Sequence, residues 1–133
     1  MKRVIVFGTF DIFHKGHENF LQQARKHGDF LRVVIARDIT VSKIKGYAPK
    51  YSEQERMNII KKSALAGEVV LGGLKDKYEV IRDYKPDIIC LGYDQKFFID
   101  DLRKELDKSG LNKTKIIKLK PYKSEIYKSS ILI

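Results

Sequence analysis

Cysteine occurs once in this sequence, at position 90, which excludes an internal disulfide and a cysteine-based zinc finger. Cys90 stands in the apolar run "DIICLG", where a buried, inert thiol is expected. No apolar run approaches the roughly 20 residues that a membrane-spanning helix requires. The stretch before Gly8 is also too short for a secretory signal. The expectation is therefore a soluble, cytoplasmic protein with no membrane partner. The 3 prolines are scattered, and no linker, repeat or low-complexity segment divides the chain. With 133 residues, 43% of them hydrophobic, residues 1–133 are expected to form one compact domain with a real core.

Acidic residues are the other shortage: 17 against 27 lysines and arginines, a formal charge of +10. Such a balance favours an anionic partner, whether nucleic acid, a phospholipid surface or phosphorylated small molecules. The lysines are spread along the chain as on a solvated surface, densest from Lys113 to Lys128, where Glu125 is the sole acid. Interleaved stacking aromatics of the RNA-binding kind are missing, so no nucleic-acid partner is expected.

What is present is a regular alternation. "RVIVFG" is a β-branched run ending in glycine, and "HENFLQQARKHGD" places Phe20, Leu21 and Ala24 at helical spacing before Gly28. "FLRVVIA" reads as a second strand. "SEQERMNIIKKSALAG" reads as a helix opened by Ser52 and Glu55 in capping-box spacing and closed at Gly67. The residues between them, "ARDITVSKIKG", read as a loop. "EVVLGG" is a third strand, "KYEVIRDY" a helix stopped by Pro86, and "DIICLG" a fourth strand apolar on both faces. "FIDDLRKELDKSG" is an amphipathic helix ending at Gly110, and "TKIIKLK" a fifth strand. This order predicts an α/β fold, doubly wound and Rossmann-like: a three-layer sandwich around a mainly parallel five-stranded sheet.

In such sheets ligands lie beyond the carboxyl ends of the strands, where the strand order reverses. The residues that follow the strands share one chemistry. After the first come Gly8, Thr9, Asp11, His14, Gly16 and His17; after the second, Ala36, Arg37 and Asp38; after the fourth, Gly92, Tyr93, Asp94 and Gln95; after the fifth, Tyr122, Lys123, Ser129 and Ser130. Gly72 and Gly73 after the third add no side chain. His17 falls at or near the start of the first helix, where free amides and the helix dipole attract anions, and His14 can converge on the same ligand. Gly16 lets backbone approach without a side chain in the way, Thr9 offers a hydroxyl, and Asp11 could orient an imidazole or hold a helix-start amide. Two histidines three apart also fit a surface or a half-buried site. A metal site finds only His27 besides them and no clustered cysteines, so no residue is assigned to a metal. The setting of strand, glycine-bearing loop and helix start favours phosphate.

The string "GTFDIFHKGH" resembles the signature G-T-F-D-x-x-H-x-G-H of the cytidylyltransferase-like nucleotidyltransferases at every fixed position, and the resemblance covers essentially the whole chain. It implies transfer of a nucleotidyl group from a nucleoside triphosphate to a phosphomonoester with release of pyrophosphate, in the presence of Mg²⁺ or another divalent cation, by a homodimer. It implies catalytic roles for His14 and His17 on the triphosphate, with Gly8, Thr9, Phe10, Asp11 and Gly16 at the nucleotide. "ARDITVSKIKG" resembles the segment that brings a lysine onto the phosphates, here Lys43 or Lys45. "SEQERMNII" is similar to the family's E-x-x-R helix start, which implies Arg56 near the phosphates.

"KPDIICLGYDQ" looks most like the archaeal FAD synthases, which implies ATP and FMN as substrates, with Gly92, Asp94 and Gln95 at the nucleotide and Asp38 toward the acceptor. The similar glycerol-3-phosphate cytidylyltransferases imply the other pairing, CTP with glycerol 3-phosphate or a like phospho-alcohol. "YKSS" resembles the pair that opens the family's last helix, implying phosphate contacts from Ser129 and Ser130. Where cytidylyltransferases carry an arginine this chain has Lys123 or Lys128, a point charge without the bidentate fork, and the last helix is expected to be a stub. A non-catalytic nucleotide- or nucleic-acid-binding module is the reading from outside enzymology.

Overall fold

The structure, a computed structural model, describes residues 1–76, 78–92 and 99–121. Five strands form one parallel sheet: β1 (Arg3–Gly8), β2 (Phe30–Ile35), β3 (Glu68–Leu71), β4 (Ile88–Leu91) and β5 (Lys115–Lys118). Their order is β3-β2-β1-β4-β5, so β1 is central and the winding reverses between β1 and β4. The register runs from Arg3 against Phe30 to Gly8 against Ile35, which brings the ends of β1 and β2 level. Among the described residues the helices are α1 (Lys15–Arg25), α2 (Asp38–Lys45), α3 (Glu53–Ser63), α4 (Glu79–Tyr84) and α5 (Ile99–Lys108).

Side-chain alternation along the strands divides the core in two. Val4, Val6, Val33, Ile35 and Cys90 face one side, packed with Leu21 and Ala24 of α1 and Ile60 of α3. Ile5, Val34, Ile89 and Leu91 face the other, packed with Ile81 and Tyr84 of α4 and Leu102 and Leu106 of α5. This is the doubly wound three-layer arrangement that the apolar runs predict: a strand covered on both faces has no solvent side and needs no polar alternation. Full burial of each such aliphatic side chain contributes about 1.5–3 kcal/mol. Cys90 is completely buried, and burial pushes its thiol up to about 12, consistent with an inert group.

Three boundaries differ from the sequence reading. The first helix starts at Lys15, before His17, because His14 itself is the N-cap. The third ends at Ser63 rather than near Gly67: the Ser63 hydroxyl donates to the Ile60 carbonyl and accepts from the Leu65 amide, and Ala64 adopts a left-handed conformation with φ 59°. Residues Asp38–Lys45 form a helix rather than a loop. It has a single buried residue, Val41, and so offered no periodic apolar stripe, while Gly46 at φ 80° closes it with its amide on the Ser42 carbonyl.

Candidate active site

Where β1 and β4 lie side by side, their following segments leave in opposite directions, which opens a crevice at the carboxyl edge of the sheet. The β1 segment, Gly8 to His14, is held from several sides. Phe10 is buried and sits at φ 49°, a left-handed conformation that costs a non-glycine residue about 1–3 kcal/mol. Its ring occupies the space beside Gly8: a Cβ at Gly8 would fall 2.5 Å from that ring. Gly8 and Phe10 thus form one packing unit.

Arg56, the first-turn arginine of α3, is fully buried and donates three bonds: Nη1 to the Thr9 carbonyl at 2.9 Å, Nε to the Tyr51 carbonyl at 3.1 Å and Nη2 to Asp38 Oδ1 at 2.7 Å. One guanidinium therefore joins the β1 loop, the start of α2 and the approach to α3. Glu53 adds to this joint by accepting from the Asp38 amide at 2.8 Å. The Asp11 carboxylate accepts from the Lys50 and Tyr51 amides, both at 2.8 Å. It therefore orients no imidazole. It secures the chain just before Ser52, the N-cap of α3, because two backbone amides offer a bidentate match that one ring nitrogen does not.

The two histidines cap α1 reciprocally. His14 is the N-cap, with its Nδ1 accepting from the Gly16 amide at 3.0 Å; the His14 amide donates to Nδ1 of His17 at 3.4 Å. Their rings stack with centroids 3.9 Å apart. Phe13 stacks on His17 at 5.9 Å and Phe10 meets it edge-on at 5.2 Å. In these apolar surroundings burial depresses both imidazoles. His17 falls to about 4, through burial first, then the proximity of His14, with a smaller contribution from the Lys45 charge and a hydrogen bond with the Ile12 backbone opposing. Both rings are neutral at neutral pH, and His14, whose Nδ1 accepts, carries its proton on Nε2.

The α2 lysines separate by position. Lys45 follows buried Val41 by one helical turn and lies on the same face, whereas Lys43, two residues on from Val41, lies on the opposite side. Gly92 follows β4 as a buried residue at the crevice. Asp94, Gln95, Lys123, Ser129 and Ser130 lie outside the described residues. Among the described residues no group of three or more His, Cys, Asp or Glu side chains gathers in a way that could hold a metal ion. No helix among them is long and apolar enough to cross a membrane.

Sequence reasoning did not find Phe13, the Arg56 joint or the partners of Asp11. Phe13 stands at an unspecified position of the motif, and the other contacts join residues tens of positions apart.

The cytidylyltransferase-like family model matches residues 5–133. A protein named FAD synthase from Aciduliprofundum boonei is 44% identical over 122 residues, covering 92% of this chain and 80% of its own length. The FAD synthase of Thermococcus sibiricus is 41% identical over 132 residues, covering 98% of this chain and 89% of its own. Among solved structures, the lipopolysaccharide core biosynthesis protein from Thermoplasma volcanium is 38% identical and matches the fold with a TM-score of 0.85 over 92% of this chain and 98% of its own. The capped histidine pair and the Arg56 joint fall inside the matched span, and the chain belongs to the cytidylyltransferase-like family of nucleotidyltransferases.

Proposed function

We propose that this nucleotidyltransferase moves the adenylyl group of ATP to FMN, forming FAD and pyrophosphate. The observation that carries the reading is the pair of stacked imidazoles built into the N-terminus of α1 at the reversal point of the sheet. The choice of ATP and FMN is supported by similarity to proteins named FAD synthase.

In this reading an oxygen of the FMN phosphate attacks the α-phosphorus of ATP. One P–O bond forms and the bond to the pyrophosphate oxygen breaks, with the bonding pair leaving on pyrophosphate. Such a transfer needs no nucleophilic side chain; it needs in-line positioning and groups that offset negative charge as it moves. His14 donates its Nε2–H, His17 backs it through the stacked ring and the bond from the His14 amide, the positive end of α1 adds its dipole, and Lys45 adds a full charge. Gly16 and the Gly8–Asp11 loop line the nucleotide, with Gly92, Asp94, Gln95, Ser129 and Ser130 completing its site. Arg56 serves the phosphates through the loop it holds, Lys43 is left without a role, and Asp38 and Lys123 are assigned to the acceptor.

The carboxylates bordering the loop are already committed, Asp11 to two amides and Asp38 to Arg56, so the described residues offer no cage for a divalent cation. Mg²⁺ or a similar ion is proposed to come with the triphosphate, whose oxygens suit it as ligands. The active species is proposed to be a cytoplasmic homodimer.

The test is pyrophosphate release from ATP or CTP against FMN or glycerol 3-phosphate, with His14→Ala and His17→Ala alongside. Turnover is expected with ATP and FMN, falling at least ~10²-fold in each variant. Turnover with CTP and glycerol 3-phosphate alone would reassign the substrates, and undiminished turnover in either variant would remove that histidine from the mechanism.

A further inference from the structure

Exposed large hydrophobic side chains are unevenly placed on this molecule. Among the described residues they are Met1, Ile39, Ile44, Tyr47 and Leu74, and all but Met1 follow β2 or β3 at the carboxyl edge of the sheet, where ligands bind. Met1 aside, the opposite edge of the sheet and the outer faces of α1, α3, α4 and α5 show none among the described residues.

Two of these residues stand out by position. Ile44 follows buried Val41 by three residues, which turns it toward the same side of α2, yet it is 66% exposed. An isoleucine on the inward side of a helix with its surface uncovered is a place prepared for something apolar. Tyr47, 58% exposed, follows immediately after the left-handed Gly46 that ends the helix. Between them lies Lys45, the lysine whose charge acts on His17.

The segment carrying these residues is anchored to the β1 loop at both ends. At its start, Asp38 is bound to Arg56, which also holds the Thr9 carbonyl. At its end, the Lys50 and Tyr51 amides bind Asp11. Tyr47 is only three residues from Lys50, so its Cα lies within about 11 Å of that anchor even in a fully extended chain. Both ends of the segment that carries the apolar pair are therefore tied to the loop that leads into the histidine pair.

We propose that Ile44 and Tyr47 form the platform for the flat ring system of the acceptor, the isoalloxazine of FMN, while Lys45 between them draws in its phosphate dianion. The inference rests on the reading that FMN is the acceptor and assigns the residues that select it. The chemistry matches part by part. An acceptor with an extended apolar ring joined by a flexible chain to a phosphate needs an apolar surface and a cation a short distance apart, next to the α-phosphate site. Glycerol 3-phosphate has no part that would use Ile44 or Tyr47. An exposed tyrosine also suits a planar ligand, since stacking on an aromatic face needs no directional bonds.

The experiment compares wild type, Ile44→Ser/Tyr47→Ser and Tyr47→Phe with ATP and FMN, reading KM for each substrate, kcat, FMN binding from flavin fluorescence quenching, and solution mass. The double variant is expected to raise KM for FMN roughly tenfold or more, the equivalent of losing about 1.4 kcal/mol. KM for ATP, kcat and mass should stay at wild-type values, and Tyr47→Phe should keep FMN binding. Because both side chains are exposed, the fold is expected to survive, and circular dichroism checks it. Wild-type FMN binding and KM in the double variant would overturn this assignment alone. A drop of the double variant to half the wild-type mass would overturn it in favour of a second copy covering the patch. Failure of the wild type itself to bind FMN or make FAD would sink the acceptor reading and this inference together, and so is told apart from the first outcome.

Discussion

Acidification should destabilise this protein through His17 in a way that can be worked out in advance. The folded protein holds His17 at about 4, against an ordinary histidine value of 6.5. Above pH 6.5 the ring is neutral in both folded and unfolded chains, and the difference costs nothing. As pH falls from 6.5 toward 4, the unfolded chain takes up the proton while the folded chain does not, so unfolding is favoured progressively. Below 4 both forms are protonated and the loss is complete. The full loss corresponds to roughly 3 kcal/mol, and by about pH 5 roughly 2 kcal/mol of it should have appeared. That is a large share of a typical domain's 5–15 kcal/mol.

Other groups titrate over the same range, so the informative quantity is the difference between wild type and His17→Gln, which cannot take up the proton. Urea unfolding followed by circular dichroism at about pH 7 and about pH 5 measures it. Wild type is expected to lose roughly 2 kcal/mol more than the variant between the two conditions. Parallel losses would refute the reasoning, because they would mean that His14, Phe10 and Phe13 do not keep the folded His17 from its proton.

Arg56→Ala should destabilise the fold by about 3–5 kcal/mol in thermal or urea unfolding, since it leaves the Thr9 and Tyr51 carbonyls and Asp38 without their donor. Arg56→Lys should recover only part, because an ammonium cannot reproduce three diverging bonds. Gly8→Ala should cost about 1–3 kcal/mol and disturb His17, through a Cβ placed 2.5 Å from the Phe10 ring; an unchanged melting temperature would contradict that packing. Ser52→Ala removes the hydroxyl that accepts from the Glu55 amide and should cost about 1 kcal/mol in the same assays. If a triphosphate seats against the histidines, its negative charge should favour their protonated forms. Calorimetric titration with ATP in buffers of different ionisation heat is then expected to show proton uptake, growing as pH falls from 7 toward 5.

The architecture, and the place of the histidine motif between the first strand and the first helix, are legible in the sequence alone. Apolar runs covered on both faces, with helices between them, leave little choice but a doubly wound parallel sheet, and "GTFDIFHKGH" spans the turn from its first strand into its first helix. Strong periodicity and a local motif are properties of neighbouring residues, which is why both are legible without a structure. The tertiary structure decided what depends on distant residues meeting. Arg56 reaches the Thr9 carbonyl 47 positions away, and Asp11 reaches Tyr51 40 positions away. No local pattern records those meetings, because the partners are backbone groups that every residue possesses. The same holds for α2, which carries one buried residue and so left no stripe to read. It holds as well for the state of His17: its type and spacing are written in the chain, but its lowered pKa comes from burial, with the rings of Phe10 and Phe13 against it, and burial exists only once the chain has folded.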